Sequence, residues 1–376
     1  MKVCIIGWYG TETLGDRAIL AGILSVLAKI DPKTKIKLGS LFPFFSKRTI
    51  SEDFDFYKHL SGAGEFQFEL FESKKGSELK AAIAESDLLI MGGGPLMHIN
   101  DLFMVDYAFN YAKKKKVPSV LFGCGVGPMF KTRHKGALQR IVKNATLPIL
   151  RDEVSKNYLK SLGAKESILN RMQVLPDPSL QAIQDFQKSE RTKEKLDYIA
   201  VNMREFPAEY SQESQKGIHE KLANLLRDLA EDNKVQLIPM HYFHIGGDDR
   251  KFLNSLKFDL ELENIEVQNE PLSLYQTFLR FEQAQACVGM RFHSVVFQTA
   301  LNGKNLVLDY TEPGKGKITG FLRDWNLEET FKKRYVNLQS WNSEKLDLKS
   351  VEQVVLPGDE LSQRLARYEE LLKTVL

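Results

Sequence analysis

The sequence predicts an α/β protein of two doubly wound, Rossmann-like domains facing a cleft. Three observations carry this reading: short apolar runs alternate with amphipathic helical stretches, glycine-rich turns follow several of those runs, and a polar stretch divides them into two series. The first series has strand candidates at Val3 to Ile6, Ile36 to Leu41, Leu88 to Met91, Ser119 to Phe122 and Leu147 to Leu150. Between the first two, Ile19, Leu20, Ile23, Leu24 and Leu27 recur at helical spacing until Asp31-Pro32 stops them. Residues 42–75 are rich in Phe but lack a helical period, and read as an irregular insertion with short strands.

The second series runs through Tyr198 to Val201, Val235 to Ile238, Ile265 to Val267, Ala286 to Val288 and Leu306 to Leu308. Gln181 to Lys195 is polar and poor in large apolar residues, which suits a linker. The expected domains are therefore 1–180 and 197–357, with a linker over 181–196. A last helix over 358–376, apolar at Leu361, Leu365, Tyr368, Leu371 and Leu372, is expected to pack back on the body.

Composition narrows the function. The chain has 376 residues, 43% of them hydrophobic, and no apolar stretch approaches a membrane span. Met1-Lys2 leads directly into a strand rather than a signal peptide, so a cytoplasmic location is expected. A net charge of +3 from 52 basic and 49 acidic residues argues against nucleic acid as a partner, while leaving a small anionic substrate compatible. Cys4, Cys124 and Cys287 lie in apolar runs without metal-ligand or disulfide spacing. Lys113 to Lys116 close a helical pattern, reading either as a solvated helix end or as a peripheral contact with an anionic membrane. Nothing in the pattern specifies an oligomeric state.

The densest chemistry lies at Gly289-Met290-Arg291-Phe292-His293-Ser294, between a strand and a helix. A helix start favours an anion, arginine adds a planar fork of donors, and histidine changes protonation near neutral pH. Arg204 and Arg151 also stand at strand ends, where an arginine serves either a ligand or a salt bridge. His241 lies beyond a strand and joins the candidate binding residues, while Asp248 and Asp249 read as the cap and first-turn acid of the next helix. Glycine clusters at Gly7 to Gly15, Gly92 to Gly94 and Gly123 to Gly127 read either as turn geometry or as loops that let backbone approach a ligand. No dinucleotide fingerprint or phosphate-loop motif is present, and Asp177 reads as a turn or functional residue.

Taken in order, these landmarks resemble the polysaccharide pyruvyl transferase family. The resemblance rests on Gly7 to Gly10, Gly15-Asp16 leading into Ile19-Leu20, Gly92 to Gly94, Gly123 to Pro128, Arg151 to Ser155, Arg204, Met290 to Ser294, and Asp309-Tyr310 through Lys317 to Phe321. Thr13 and Pro95 depart from the usual pattern. The resemblance implies a GT-B-like fold, phosphoenolpyruvate as donor and a sugar or lipid-linked glycan as acceptor, with no metal or cofactor. The N-terminal domain would take the acceptor and the C-terminal domain the donor. Arg204, Arg291 and Lys317 would hold the donor's carboxylate and phosphate, and His293 would act as general acid. Arg151, His241, Gly93 and Gly94 would support binding, and Asp16 would orient an acceptor hydroxyl or act as base. The alternatives are a nucleotide-sugar glycosyltransferase of the same shape and a non-catalytic glycan-binding or scaffold protein.

Overall fold

The computed structural model describes residues 1–62, 66–206, 212–312, 316–348 and 350–376. These form two compact units, Met1–Lys188 together with Pro357–Leu376, and Ser189–Leu356. In the first unit the strands are β1 (Lys2–Ile6), β2 (Lys35–Ser40), β3 (Gln67–Glu72), β4 (Leu88–Met91), β5 (Ser119–Cys124), β6 (Leu147–Leu150) and β7 (Gln173–Val174). They pair in the order β3-β2-β1-β4-β5-β6-β7, always in parallel. The winding reverses between β1 and β4, so the loops leaving these two neighbours share a topological switch point.

The second unit repeats the device. Its strands are β8 (Leu196–Asn202), β9 (Val235–Leu237), β10 (Ile265–Val267), β11 (Ala284–Gly289), β12 (Asn305–Asp309) and β13 (Tyr335–Asn337). They pair in parallel in the order β10-β9-β8-β11-β12-β13, with the switch between β8 and β11. Arg204 and Arg291 follow these two strands, which is why residues 87 positions apart in sequence meet.

Burial explains the elements. In β4, β5 and β6 every residue is buried, as expected for strands covered on both faces. The helix Leu14–Ile30 is buried continuously from Leu14 to Leu27, so it is interior rather than amphipathic. Among the described residues, no helix is long and apolar enough to cross a membrane.

Two sequence expectations need correction. Residues 42–75 contain the helices Pro43–Glu52 and Phe54–Ser61 and the strand β3, not an irregular insertion. Gln181 to Lys188 belongs to the helix Ser179–Lys188 of the first unit, with Leu180, Ala182, Ile183 and Phe186 buried, and only the stretch from Ser189 to Lys195 lacks regular structure. That stretch is anchored within the second unit, where Arg191 Nη2 meets Glu282 Oε1 at 2.6 Å.

The final helix, Gly358–Lys373, closes the first unit. Leu361, Leu365, Tyr368 and Leu372 form its buried face. Tyr368 stacks on Phe122 with ring centroids 4.3 Å apart, and its hydroxyl donates to Pro176 O at 2.7 Å. Tyr368→Ala is expected to cost about 3–5 kcal/mol by removing a fully buried aromatic side chain. Tyr368→Phe should cost about 1 kcal/mol for the hydrogen bond alone. Urea unfolding of the two variants checks this ordering.

Candidate functional site

Backbone hydrogen bonding stitches the second unit's switch point together. Asn202, the last residue of β8, accepts the Arg291 N–H through Oδ1 at 3.1 Å, and the Arg204 N–H donates to Met290 Sδ at 3.5 Å. Arg291 is thereby fixed as the N-cap of the helix Phe292–Leu301. Arg204 and Arg291 line a 370 Å³ cavity together with Gly246, Gly247, Asp249 and Tyr310.

Each arginine is oriented by its neighbours. Arg291 Nε donates to Asp249 Oδ1 and Oδ2 at 2.9 and 2.7 Å, and Nη2 donates to Asp249 Oδ1 at 2.5 Å and to Gly247 O at 3.2 Å. Nη1, with two N–H donors, makes no hydrogen bond among the described residues. Asp249 is buried in the first turn of the helix Asp249–Leu260, behind the expected Asp248 cap, and also accepts the Met240 N–H at 3.0 Å. Arg204 Nη1 donates to the Tyr310 hydroxyl at 3.4 Å, and its guanidinium carbon lies 5.6 Å from the Tyr310 ring centre.

The other second-unit candidates do not line this cavity. His293 is half-buried in the first turn of its helix, with its ring centre 5.0 Å from that of Phe292 and 5.9 Å from that of Phe297. Lys317 is the exposed first residue of the helix Lys317–Asp324. His241 requires a correction: it is buried, and its Nε2 lies 2.6 Å from Ile245 O. That bond shapes the loop carrying Gly246 and Gly247, so His241 supports the cavity rather than lining it. Burial, and then the Arg291 charge, holds its imidazole below the ordinary pKa.

At the first unit's switch point the loops after β1 and β4 nearly touch. A Cβ on Gly7 would lie 1.8 Å from Gly92 O, so no side chain fits there. Gly93 and Gly94 have φ of +90° and +85°, and a Cβ on Gly94 would come within 2.9 Å of Asp16 Oδ1. Trp8 Nε1 donates to Pro95 O at 2.9 Å across the same gap. Asp16 is buried in the first turn of its helix, next to Trp8, Glu12 and Arg17 around a small void of 20 Å³.

Arg151, expected to bind an anion, is interior. Its side chain is only 2% exposed, with Nη1 on Asp177 Oδ2 at 3.1 Å and Nε near Asp152 Oδ2 at 3.4 Å. Asp152 caps the helix Glu153–Ser161, and Asp177 Oδ1 accepts the Ser179 N–H. Arg151 therefore ties loop ends together, and Asp177 is a turn residue.

Sequence reasoning missed several partners. Asp249 was legible as a helix acid but not as the carboxylate that holds Arg291. Tyr310 follows β12 as the arginines follow β8 and β11, so its place beyond a strand end was the available signal. Glu12, buried and paired with Arg48, and Arg17, which binds Asp53 at 2.7 and 2.6 Å, carry no local signature.

Two doubly wound parallel-sheet units in one chain make this a GT-B-type fold, and solved structures agree. The UDP-GlcNAc 2-epimerase of Methanocaldococcus jannaschii aligns over 100% of both chains with a TM-score of 0.58 at 14% identity. The enzyme of that name from Rickettsia bellii aligns over 100% of this chain and 97% of its own, with a TM-score of 0.60 at 12% identity. That of Neisseria meningitidis aligns over 99% and 100%, with a TM-score of 0.54 at 13% identity. At such identities the likeness concerns the fold alone. No curated protein matches the chain by sequence. The family model for polysaccharide pyruvyl transferase matches residues 14–312, and the chain belongs to that family.

The depressed His241 pKa has a defined stability consequence. The unfolded chain takes up the proton first, so the stabilisation from neutral His241 is present above the ordinary histidine pKa of about 6.5 and is lost as pH falls below it. Relative to His241→Gln, the wild type should therefore lose stability between pH 7.5 and 5.5, as read from urea midpoints at the two pH values.

Proposed function

We propose that the protein transfers the pyruvyl group of phosphoenolpyruvate to a sugar of a polysaccharide or glycan precursor, free or lipid-linked, forming a pyruvate ketal and releasing phosphate. The observation that carries this reading is the convergence of Arg204 and Arg291 on one cavity, in a chain of the pyruvyl transferase family. Phosphoenolpyruvate bears a carboxylate and a phosphate, each suited to a guanidinium fork. The unused Nη1 donors of Arg291 and the start of the helix Phe292–Leu301 add directional N–H groups for the same anion.

The reaction adds a proton to the methylene carbon, and a sugar hydroxyl oxygen bonds to the adjacent carbon. The carbon–oxygen bond to phosphate then breaks, and a second hydroxyl closes the ketal. Of the two hydroxyl protons released, one balances the proton given to the methylene and the other leaves with phosphate. We assign the proton donor to His293, two residues beyond Arg291, and acceptor recognition to the first unit's rim, with Asp16 as orienting group or base. Lys317 is retained as a second-rank cation for the donor.

Asp249 gives this reading a discriminating feature. Its charge opposes an anionic donor, yet it fixes the plane of Arg291. Asp249→Asn should therefore weaken phosphoenolpyruvate binding, although it removes a negative charge. Calorimetry showing tighter binding would mean that net charge, not orientation, governs capture.

The broader test uses purified protein, phosphoenolpyruvate and a panel of glycans. Phosphate release and an acid-labile ketal on the sugar are expected. His293→Ala should lower kcat by roughly 10²–10⁴ while retaining donor binding. Arg204→Ala and Arg291→Ala should weaken binding by about 10- to 100-fold, the size of a lost charge-assisted hydrogen bond. No turnover across the panel and no phosphoenolpyruvate binding, with tight binding of a nucleoside diphosphate instead, would assign the cavity to nucleotide-sugar chemistry.

A further inference from the structure

Charge is strongly segregated along this chain. Between Leu102 and Asn144 there are nine Lys and Arg residues and a single acidic residue, Asp106. That segment carries +8 in a protein whose total is +3, so the rest of the chain carries −5. Its helices, Leu102–Lys115 and Thr132–Asn144, lie side by side on one face of the first unit's sheet. Lys113 Nζ donates to Asn144 Oδ1 at 3.2 Å, and Arg140 pairs with Asp106 at 2.6 Å. With Asp106 engaged, the segment has no carboxylate left to neutralise its other eight cations.

Helix electrostatics explains only part of this. Lys113 to Lys116 sit at a helix C-terminus, where cations are favoured. Lys131 and Arg133 sit at the N-terminus of the next helix, where cations are disfavoured; Arg133 donates to Asn100 Oδ1 at 3.1 Å and lies over the Phe103 ring, which leaves Lys131 as the cation that calls for a reason outside the fold. All six are exposed. Large aromatic rings accompany them: Phe130, next to Lys131, is 73% exposed, and Tyr107 on the adjoining helix is 43% exposed.

We infer that this two-helix layer is a docking surface for an anionic lipid bilayer. Lysine and arginine gain from the negative surface potential of such a membrane, and an exposed phenylalanine at a loop tip enters the acyl boundary, where a soluble polyanion offers it nothing. Helices of this length span about 20 Å, which spreads the cations across many headgroups rather than one phosphate. The inference does not depend on the donor chemistry proposed above.

Sedimentation of the full chain with phospholipid vesicles tests it. Binding is expected to a two-to-one mixture of phosphatidylcholine and phosphatidylglycerol, and not to phosphatidylcholine alone. It should vanish in about 1 M NaCl, where the screening length is about 3 Å. Neutralising Lys114, Lys115 and Lys131 to Ser should weaken binding on the order of 100-fold, from about fivefold per lysine. Phe130→Ser should cost about tenfold. Lys332→Ser with Lys333→Ser, exposed in the other unit, should leave binding unchanged, and circular dichroism should show every variant folded. Equal binding to neutral vesicles, no binding at low salt, or undiminished binding by the triple lysine variant would overturn the inference. So would retention of RNA or an acidic protein by this surface without vesicle binding.

Discussion

Parallel pairing throughout both sheets is the constraint on which the rest of the molecule depends. Parallel strands all end at the same edge, so within each unit the loops after successive strands crowd one rim. Where the winding reverses, two of these loops become neighbours without any connection between them. At β1 and β4 the crowding is so close that Gly7 and Gly92 face each other backbone to backbone. At β8 and β11 it brings Arg204 beside Arg291, and the Asn202 side chain spans the gap. Neither pair is made by local sequence; both follow from strand order.

This division between local and topological causes explains what was legible in the sequence. The interior strands β4, β5 and β6 announced themselves as apolar runs because both faces are covered. Of the four edge strands only β10 carries a readable apolar run: β3 alternates polar and apolar residues and is largely half-exposed, and β7 and β13 are two and three residues long. A strand with one unpaired side and one solvated face lacks the signal that marks a central one. Ser179–Lys188 escaped for a related reason: Gln, Asp and Lys dominate its composition, while its burial depends on Leu180, Ile183 and Phe186 meeting the helix Leu14–Ile30. In contrast, the final helix carries an uninterrupted apolar stripe, whose residues Leu361, Leu365, Tyr368 and Leu372 are its buried face.

The arginines show the same limit at the level of chemistry. Arg151 and Arg291 both follow a strand, and both precede a helix. Only the structure separates them: the Arg151 side chain is 2% exposed and enclosed by two carboxylates, whereas Arg291 is 15% exposed beside a cavity and meets one. A guanidinium facing two buried carboxylates has its charge committed to the fold, and removing it would leave those carboxylates unpaired in a dry interior. A guanidinium bound along one edge keeps donors on the other. Sequence position selected both residues as candidates; the number and burial of their carboxylate partners assigns them different work.

Pairing also changes what Arg291 contributes. With Asp249 bound to it, the two side chains together are close to neutral, so they supply oriented N–H donors rather than net attraction. The long-range pull on an anion then falls to Arg204, whose described contacts are to the Tyr310 hydroxyl and ring and the Glu205 carbonyl, with no carboxylate among them. Under the proposed function the two arginines would therefore be unequal: one would draw an anion in and the other would fix its orientation. In the proposed reaction, orientation would decide which carbon of a bound enol phosphate faces a proton donor, so the pinned arginine would bear on chemistry as well as on affinity.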